Sequence, residues 1–244
     1  MNLIEISRVS KFYSGKSILN SISLNITKGE LCVVFGPNGS GKTTLLNLIA
    51  GIIEPDSGHI RILGRPPNEE RIGFVFQDYR ESLLPWRTNL ENIAFPQELE
   101  GIPKEERLKN AQELVNSLDL KIPLKSYPYK SSGGEQQLVA LLREILAKPK
   151  IILMDEPFSS LDLESRSYLR VKLQEIWEKL GLTIILVTHD INEAIQLGNK
   201  IVVLDASSGK VAKIVNIFLK RPRIEEKFYT KEFRALRKRV ISWK

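Results

Sequence analysis

Apolar residues recur along this chain with two different periods. Ile22, Leu24 and Ile26 alternate with polar neighbours, which predicts a half-buried strand over residues 18–26, and residues 3–9 form a similar run. At residues 31–35 the alternation disappears. Leu31-Cys32-Val33-Val34-Phe35 is apolar throughout, the pattern of a strand covered on both faces. Residues 59–63 and 72–76 read as further short strands. From residue 77 to about 143 helical spacing takes over: in 104–118, Leu108, Ala111, Leu114, Val115 and Leu118 share one face and the charges take the other, which predicts a separate helical layer. Apolar strands return at 151–154, 183–187 and 201–204, separated by helices at about 163–180 and 191–197. Strand and helix in alternation predict a parallel sheet with right-handed crossovers.

With 244 residues and 42% apolar composition, the chain can bury a full core as one large domain or two small ones. Its one cysteine, Cys32, lies inside an apolar run, which rules out a disulfide framework and fits a reducing compartment. No apolar stretch reaches the roughly 18 residues needed to cross a bilayer, and the N-terminus lacks a basic-then-apolar leader. A cytoplasmic chain is expected. The net charge of +7 comes entirely from residues 220–244, which hold ten Lys/Arg and three Glu; elsewhere 26 basic and 26 acidic residues cancel. No nucleic-acid partner is therefore expected. In the tail, Phe233, Leu236, Val240 and Trp243 fall at helical spacing among Arg234, Arg237, Lys238 and Arg239. Such a helix either lies on anionic headgroups, at about 1 kcal/mol per charge, or packs on the core with a solvated basic face.

The densest chemistry follows the buried strand at 31–35. Gly36-Pro37-Asn38-Gly39-Ser40-Gly41-Lys42-Thr43 has the spacing G-x-x-x-x-G-K-[ST], and Leu45, Leu46, Leu48 and Ile49 continue it as a helix ending at Gly51. Glycines let backbone N–H groups wrap phosphates and the helix N-terminus adds its positive end. Lys42 is expected to neutralise the β- and γ-phosphates of ATP and Thr43 to ligate Mg2+; Thr44 completes the cradle. At the end of the strand over 151–154, Asp155 is expected to hold Mg2+ through its water shell and Glu156 to act as the general base on the attacking water. Ser132-Gly133-Gly134-Glu135 opens a helix, as a plain N-cap or as a second anion site. His189 follows the strand over 183–187.

These motifs, in this order, resemble the nucleotide-binding subunit of an ATP-binding-cassette (ABC) transporter. The resemblance spans about residues 3–205 and rests on the phosphate loop, the Gln77 loop, Ser132-Gly133-Gly134, Asp155-Glu156, Ser160-Leu161-Asp162 and His189. It implies an α/β fold of the P-loop NTPase kind: a RecA-like parallel sheet core, an antiparallel β subdomain and an α-helical subdomain inserted at about 80–143. An ATPase domain would occupy residues 1–205 and a short extension residues 206–244. The resemblance also implies that Tyr13 stacks on adenine, with Phe12 the competing assignment, and that Gln77 contacts magnesium and the attacking water. His189 would hold the γ-phosphate. Ser132, Gly133, Gly134 and Glu135 would act on ATP held by a second copy, with Asp162 bridging two sites of a head-to-tail homodimer. Ser131 stands where the family usually has Leu, and Leu138 where it often has Arg.

Leu83-Leu84-Pro85-Trp86 resembles a segment of the nitrate, sulfonate and taurine importer ATPases that faces the coupling helix of a membrane permease. Read physically, it is an exposed apolar loop with an aromatic anchor for a partner helix. The implied function is ATP-driven uptake of such a small solute, or of a thiamine-precursor-like one, at the inner face of the cell membrane, with a solute-binding protein as an indirect partner. A soluble ABC-type ATPase acting on DNA or ribosomes is the alternative; the long coiled-coil insertions or paired cassettes of those proteins are not in this sequence.

Overall fold

The computed structural model describes residues 2–242. Its centre is a six-stranded sheet ordered β5-β6-β7-β3-β8-β9, with β3 at Leu31–Phe35, β5 at Ile72–Val75, β6 at Ile151–Asp155, β7 at Ile184–Thr188, β8 at Lys200–Leu204 and β9 at Val211–Asn216. Five strands run parallel and β9 pairs antiparallel with β8. The sequence pattern does not announce β9, because of its residues only Val215 is buried.

Side chains on the inner strands alternate between two cores. Leu31, Val33, Ile152, Met154, Ile184 and Leu186 face one. Cys32, Val34, Ile151, Leu153, Ile185 and Val187 face the other. Apolar residues at every position are what a sheet buried on both faces requires. Burial, with Glu30 adding to it, pushes the Cys32 thiol up to about 12, so this cysteine is a core residue.

A second sheet, ordered β2-β1-β4, is antiparallel. It comprises β1 (Asn2–Tyr13), β2 (Lys16–Thr27) and β4 (Ser57–Ile62). It covers one core together with helix α1, Lys42–Ile49. The other core lies under helices α2 (Tyr79–Ser82), α3 (Asn89–Leu99), α4 (Lys104–Ser117), α5 (Gly133–Leu146), α6 (Leu163–Leu180) and α7 (Ile191–Leu197). Helix α6 starts where Asp162 caps it and stops at Gly181, whose φ of 61° closes the last turn.

The helical layer is held by two buried asparagines. Asn92 accepts from the Leu84 N–H at 2.8 Å and donates to the carbonyls of Leu84, Arg87 and Thr88. Asn89 donates to the Ser131 hydroxyl at 2.8 Å, which gives Ser131 a partner that a leucine there could not supply. Leu138 is 3% exposed and belongs to the core. The Leu83–Trp86 segment is not uniformly exposed, as its composition suggests. Leu83 closes α2 and is buried beside Tyr79 in the core, whereas Trp86 is 70% exposed.

Helix α8 (Lys231–Ile241) packs on α7 and β9. Phe233 and Val240 are buried, Leu236 is half-buried, and Phe233 stacks on Phe228 with ring centroids 4.7 Å apart. The apolar face of the tail is thus turned to the protein, and Trp243 lies outside the described residues. Phe233→Ala should lower stability by about 3 kcal/mol or more, read as a fall in the urea midpoint. Arg237→Ala on the exposed face should leave that midpoint unchanged.

Candidate functional site

The polar groups gather where β3, β6 and β7 end. The chain leaves β3 through a loop in which Gly39 and Gly41 have φ of 78° and 88°, open to glycine at little strain. Gly36 is excluded from carrying a side chain for another reason: a Cβ there would sit 2.6 Å from Ser40 Oγ and 2.9 Å from the Leu204 carbonyl. Gly41 caps α1 without a side-chain bond, so the first amides of α1 stay free for an anion. Lys42 Nζ donates to the carbonyls of Gly36 and Pro37, each at 3.1 Å, and lies 3.6 Å from Glu156 Oε1.

At the end of β6, Asp155 accepts from Thr43 Oγ1 at 3.3 Å. Burial raises the Asp155 carboxyl above its usual range; the Thr43 hydroxyl opposes this, Glu156 adds to it and Lys42 opposes it. Glu156 has φ of 41°, a conformation costing a non-glycine residue on the order of 1–3 kcal/mol. Its amide donates to the Val187 carbonyl at 3.1 Å, and its Oε2 lies 2.9 Å from His189 Nδ1.

A cavity of about 440 Å³ opens at the phosphate loop, lined by Asn38, Gly39, Gly41, Lys42, Thr43 and Thr44 of that loop together with Gln77, Glu156, Tyr13 and Ile18; Asp155 and His189 do not line it. Gly36, Pro37 and Ser40 do not line it either; the Ser40 amide donates to the Pro37 carbonyl at 3.3 Å and closes the loop's turn. Phe12 and Tyr13 are equally exposed, but Tyr13 is the one on the cavity wall. The end of β1 that carries it is tied down by Asp56, which accepts from the Phe12 amide at 2.6 Å and from Lys11 Nζ at 2.9 Å.

Thr43 and Asp155 offer hard oxygen donors side by side, and among the described residues no cluster of three or more His, Cys, Asp or Glu could hold a metal unaided. That donor set fits Mg2+ whose remaining ligands are phosphate and water.

The ABC transporter family model matches residues 19–159, a span that includes the whole phosphate loop and the Asp155-Glu156 pair. The chain belongs to the ABC transporter family. An uncharacterised ABC transporter ATP-binding protein of Methanocaldococcus jannaschii is 42% identical over 227 residues, 92% of this chain and 83% of the relative. The taurine import ATP-binding protein of Escherichia coli O157:H7 is 41% identical over 212 residues, 86% of this chain and 82% of the relative. Among solved structures, a dimeric post-hydrolysis ATP-binding cassette bound to ADP and phosphate matches with TM-score 0.74 at 32% identity, covering 89% of this chain and all of that one. CbiO1 of Clostridium perfringens, part of the cbiONQ ABC transporter complex, matches with TM-score 0.81 at 27% identity, covering 98% and 96%. The chain is accordingly an ATP-binding ATPase subunit with the P-loop NTPase fold.

Other predicted site residues of this ABC ATPase stand outside the cavity. Ser132 caps α5: its Oγ accepts from the Glu135 amide at 3.3 Å while Glu135 Oε2 accepts from the Ser132 amide at 2.7 Å. Gly133 is confined by Tyr79, whose Oη would be 2.9 Å from an added Cβ, and Gly134 packs toward Ser165. Asp162 Oδ1 accepts from the Ser165 amide at 2.9 Å. Within one chain these residues start α5 and α6. Three residues near the site escape the sequence reading: Ile18, whose position in β2 carries no signal, Asp56, whose Pro55-Asp56-Ser57-Gly58 context reads only as a turn, and Glu193, buried behind His189. Gly36→Ala should weaken ATP binding by roughly tenfold, the effect of 1–3 kcal/mol of overpacking, in a titration with a fluorescent ATP analogue.

Proposed function

We propose that this chain powers the uptake of a small solute through a separate membrane permease by binding and hydrolysing ATP at the mouth of the phosphate loop. The observation that carries this reading is the row Lys42, Glu156 and His189, with 3.6 Å from the ammonium to one Glu156 oxygen and 2.9 Å from His189 to the other.

Lys42 and the backbone amides of residues 38, 39 and 41–44 bind the β- and γ-phosphates, and Tyr13 stacks on adenine. Thr43, Asp155 and Gln77 would hold magnesium, which when bound would supply Lewis-acid polarisation of the γ-phosphate. Glu156 removes a proton from the attacking water, because a carboxylate beside the γ-phosphate is the base that step needs. His189, bonded to Glu156, keeps that carboxylate aimed and reaches the γ-phosphate.

Ser132, Gly133, Gly134, Glu135 and Asp162 line no part of the cavity, which supports a function against a second copy. The dimeric cassette among the similar structures supports the same arrangement. In a head-to-tail homodimer, the N-terminus of α5 in one copy closes the ATP site of the other. Residues 1–205, with a helical insertion at about 80–143, form the working ATPase unit and 206–244 an extension. Similarity to a taurine import ATP-binding protein supports import. No described helix is long and apolar enough to cross a membrane. The same similarity to an import ATP-binding protein supports a peripheral place at the cytoplasmic face, beneath permease subunits that a solute-binding protein supplies. Trp86, exposed on a loop pinned by Asn92 beside a groove of about 280 Å³, is the anchor for the permease.

Glu156→Gln should keep ATP binding, lower turnover by roughly 100-fold or more and accumulate an ATP-bound dimer on size exclusion. Unchanged hydrolysis would exclude Glu156 as the base. Trp86→Ala should leave the hydrolysis of the isolated subunit intact and reduce copurification with a coexpressed permease by roughly tenfold, as expected for loss of an aromatic hot spot. Equal recovery would refute the docking role.

A further inference from the structure

A second cavity, of about 460 Å³, shares no lining residue with the one at the phosphate loop. Everything that lines it belongs to residues 218–233, the stretch from just past β9 into the first turn of α8. Arg223 is part of its wall and is 2% exposed. Arginine is almost never buried this far without an acid beside it. Here the fold grips it from both sides of its backbone. Gln174 Oε1 accepts from the Arg223 amide at 2.9 Å, and the Arg223 carbonyl accepts from Gln174 Nε2 at 3.1 Å and from Gln196 Nε2 at 2.8 Å. Both glutamines are buried.

The side chain has no ion-pair partner among the described residues. Its Nη1 donates to the carbonyls of Ile195 and Gly198 at 2.8 and 2.6 Å, and its Nε to that of Leu219 at 3.1 Å. A cation thus sits at the C-terminal end of α7, where the helix dipole favours one. A guanidinium has donors to spare beyond these, and Nη2 makes no hydrogen bond among the described residues. Acids of the same region serve other arginines: Glu225 lies 3.8 Å from Arg170, and Glu178 lies 3.9 Å from Arg221. Burial first, then Arg221, lowers Arg223 to about 9 against the pull of Glu178. It stays charged at neutral pH, and a buried charge without a counter-charge is costly.

We propose that this cavity binds a small tetrahedral oxyanion group (phosphate, sulfate or sulfonate) that supplies the counter-charge to Arg223. Lys220 and Lys227, both exposed, line the same cavity, and Glu232 is the one acid among its lining residues. Lys227 Nζ donates to the Pro222 carbonyl at 2.8 Å and has further protons to offer. Thr230, also in the lining, caps α8 by accepting from the Phe233 amide, and the positive end of that helix adds to the field. Donors from an arginine, two lysines and a helix end match the three acceptor oxygens of a phosphate group better than the two of a carboxylate. Phe218, 90% exposed, and the buried Phe233 complete the lining with apolar surface, so the anion can be carried on a molecule with an apolar part.

The test uses the full chain saturated with Mg2+ and ADP, so that the phosphate loop is filled. Inorganic phosphate and then sulfate are titrated at an ionic strength held constant with chloride. Amide NMR shifts of residues 220–233 should saturate in the wild type. Arg223→Lys, which keeps a charge but loses the planar fork, should weaken binding by roughly tenfold or more. Should that variant fail to fold, two exposed positions decide: Lys220→Ala should weaken binding roughly threefold, and Glu232→Gln should tighten it by a similar factor. Vesicles of phosphatidylcholine and phosphatidic acid separate the sources of the anion. Shifts with vesicles but not with free phosphate assign the oxyanion to a lipid headgroup, whereas saturation by free phosphate that vesicles do not change assigns it to a soluble molecule. No saturable shift with any of these probes, or equal affinity in Lys220→Ala, Glu232→Gln and wild type, shows that Arg223 only caps α7 and overturns the site.

Discussion

The register of three parallel strands fixes where the chemistry can happen. Phe35 pairs with Thr188 across β3 and β7, and Asp155 pairs with Val187 across β6 and β7. The residues that follow each strand, Gly36, Glu156 and His189, therefore leave the sheet at the same edge, where ligands bind in parallel sheets. A slip of one residue would turn every side chain to the opposite face. What prevents it is the sorting of apolar residues into two cores: Val33 and Leu186 cannot exchange places with Val34 and Val187 without repacking both layers. The distances at Lys42, Glu156 and His189 are thus set by aliphatic packing several residues away.

That dependence explains which parts of the molecule are legible in the sequence. Runs apolar at every position mark β3, β6, β7 and β8, and the proposed site residues lie at the ends of the first three, so the phosphate loop and Asp155-Glu156 can be read without coordinates. Helix α6 is equally plain, because Asp162 and Gly181 punctuate it. β9 is not legible, since an edge strand with a single fully buried residue lacks either period. The Leu83–Trp86 segment misleads because composition averages over a loop in which adjacent residues have opposite fates. Contacts between distant segments are invisible as well. Nothing in the spacing announces that Arg170 meets Glu193, or that Asn89 gives Ser131 its partner.

The basic tail shows the same limit from the side of charge. An amphipathic helix with a basic face has one sequence pattern whether it lies on lipid or on protein. Here Phe233 and Val240 enter the core beside α7 and β9, and Thr230 caps the helix through the Phe233 amide at 3.3 Å. Arg234, Arg237, Lys238 and Arg239 remain exposed. The basic face of α8 is therefore one that the fold does not use, whereas Arg223 of the same tail is buried and donates to the carbonyls of Ile195 and Gly198 at 2.8 and 2.6 Å.

His189 connects this packing logic to the site in a different way. It is exposed on its own account, so burial does not orient it. Its neighbour does. Asp190 caps α7 by accepting from the amides of Asn192 and Glu193, at 2.8 and 3.4 Å, and its other oxygen accepts from Arg170 at 2.9 Å. Arg170 lies midway along α6, the helix that Asp162 begins. A buried ion pair of this kind adds little net stability, but breaking it strands a charge, so the geometry it enforces is held sharply. Helix α6 consequently links Asp162 at one end to the backbone that presents His189. Because that turn and α6 share Arg170, their positions are fixed together.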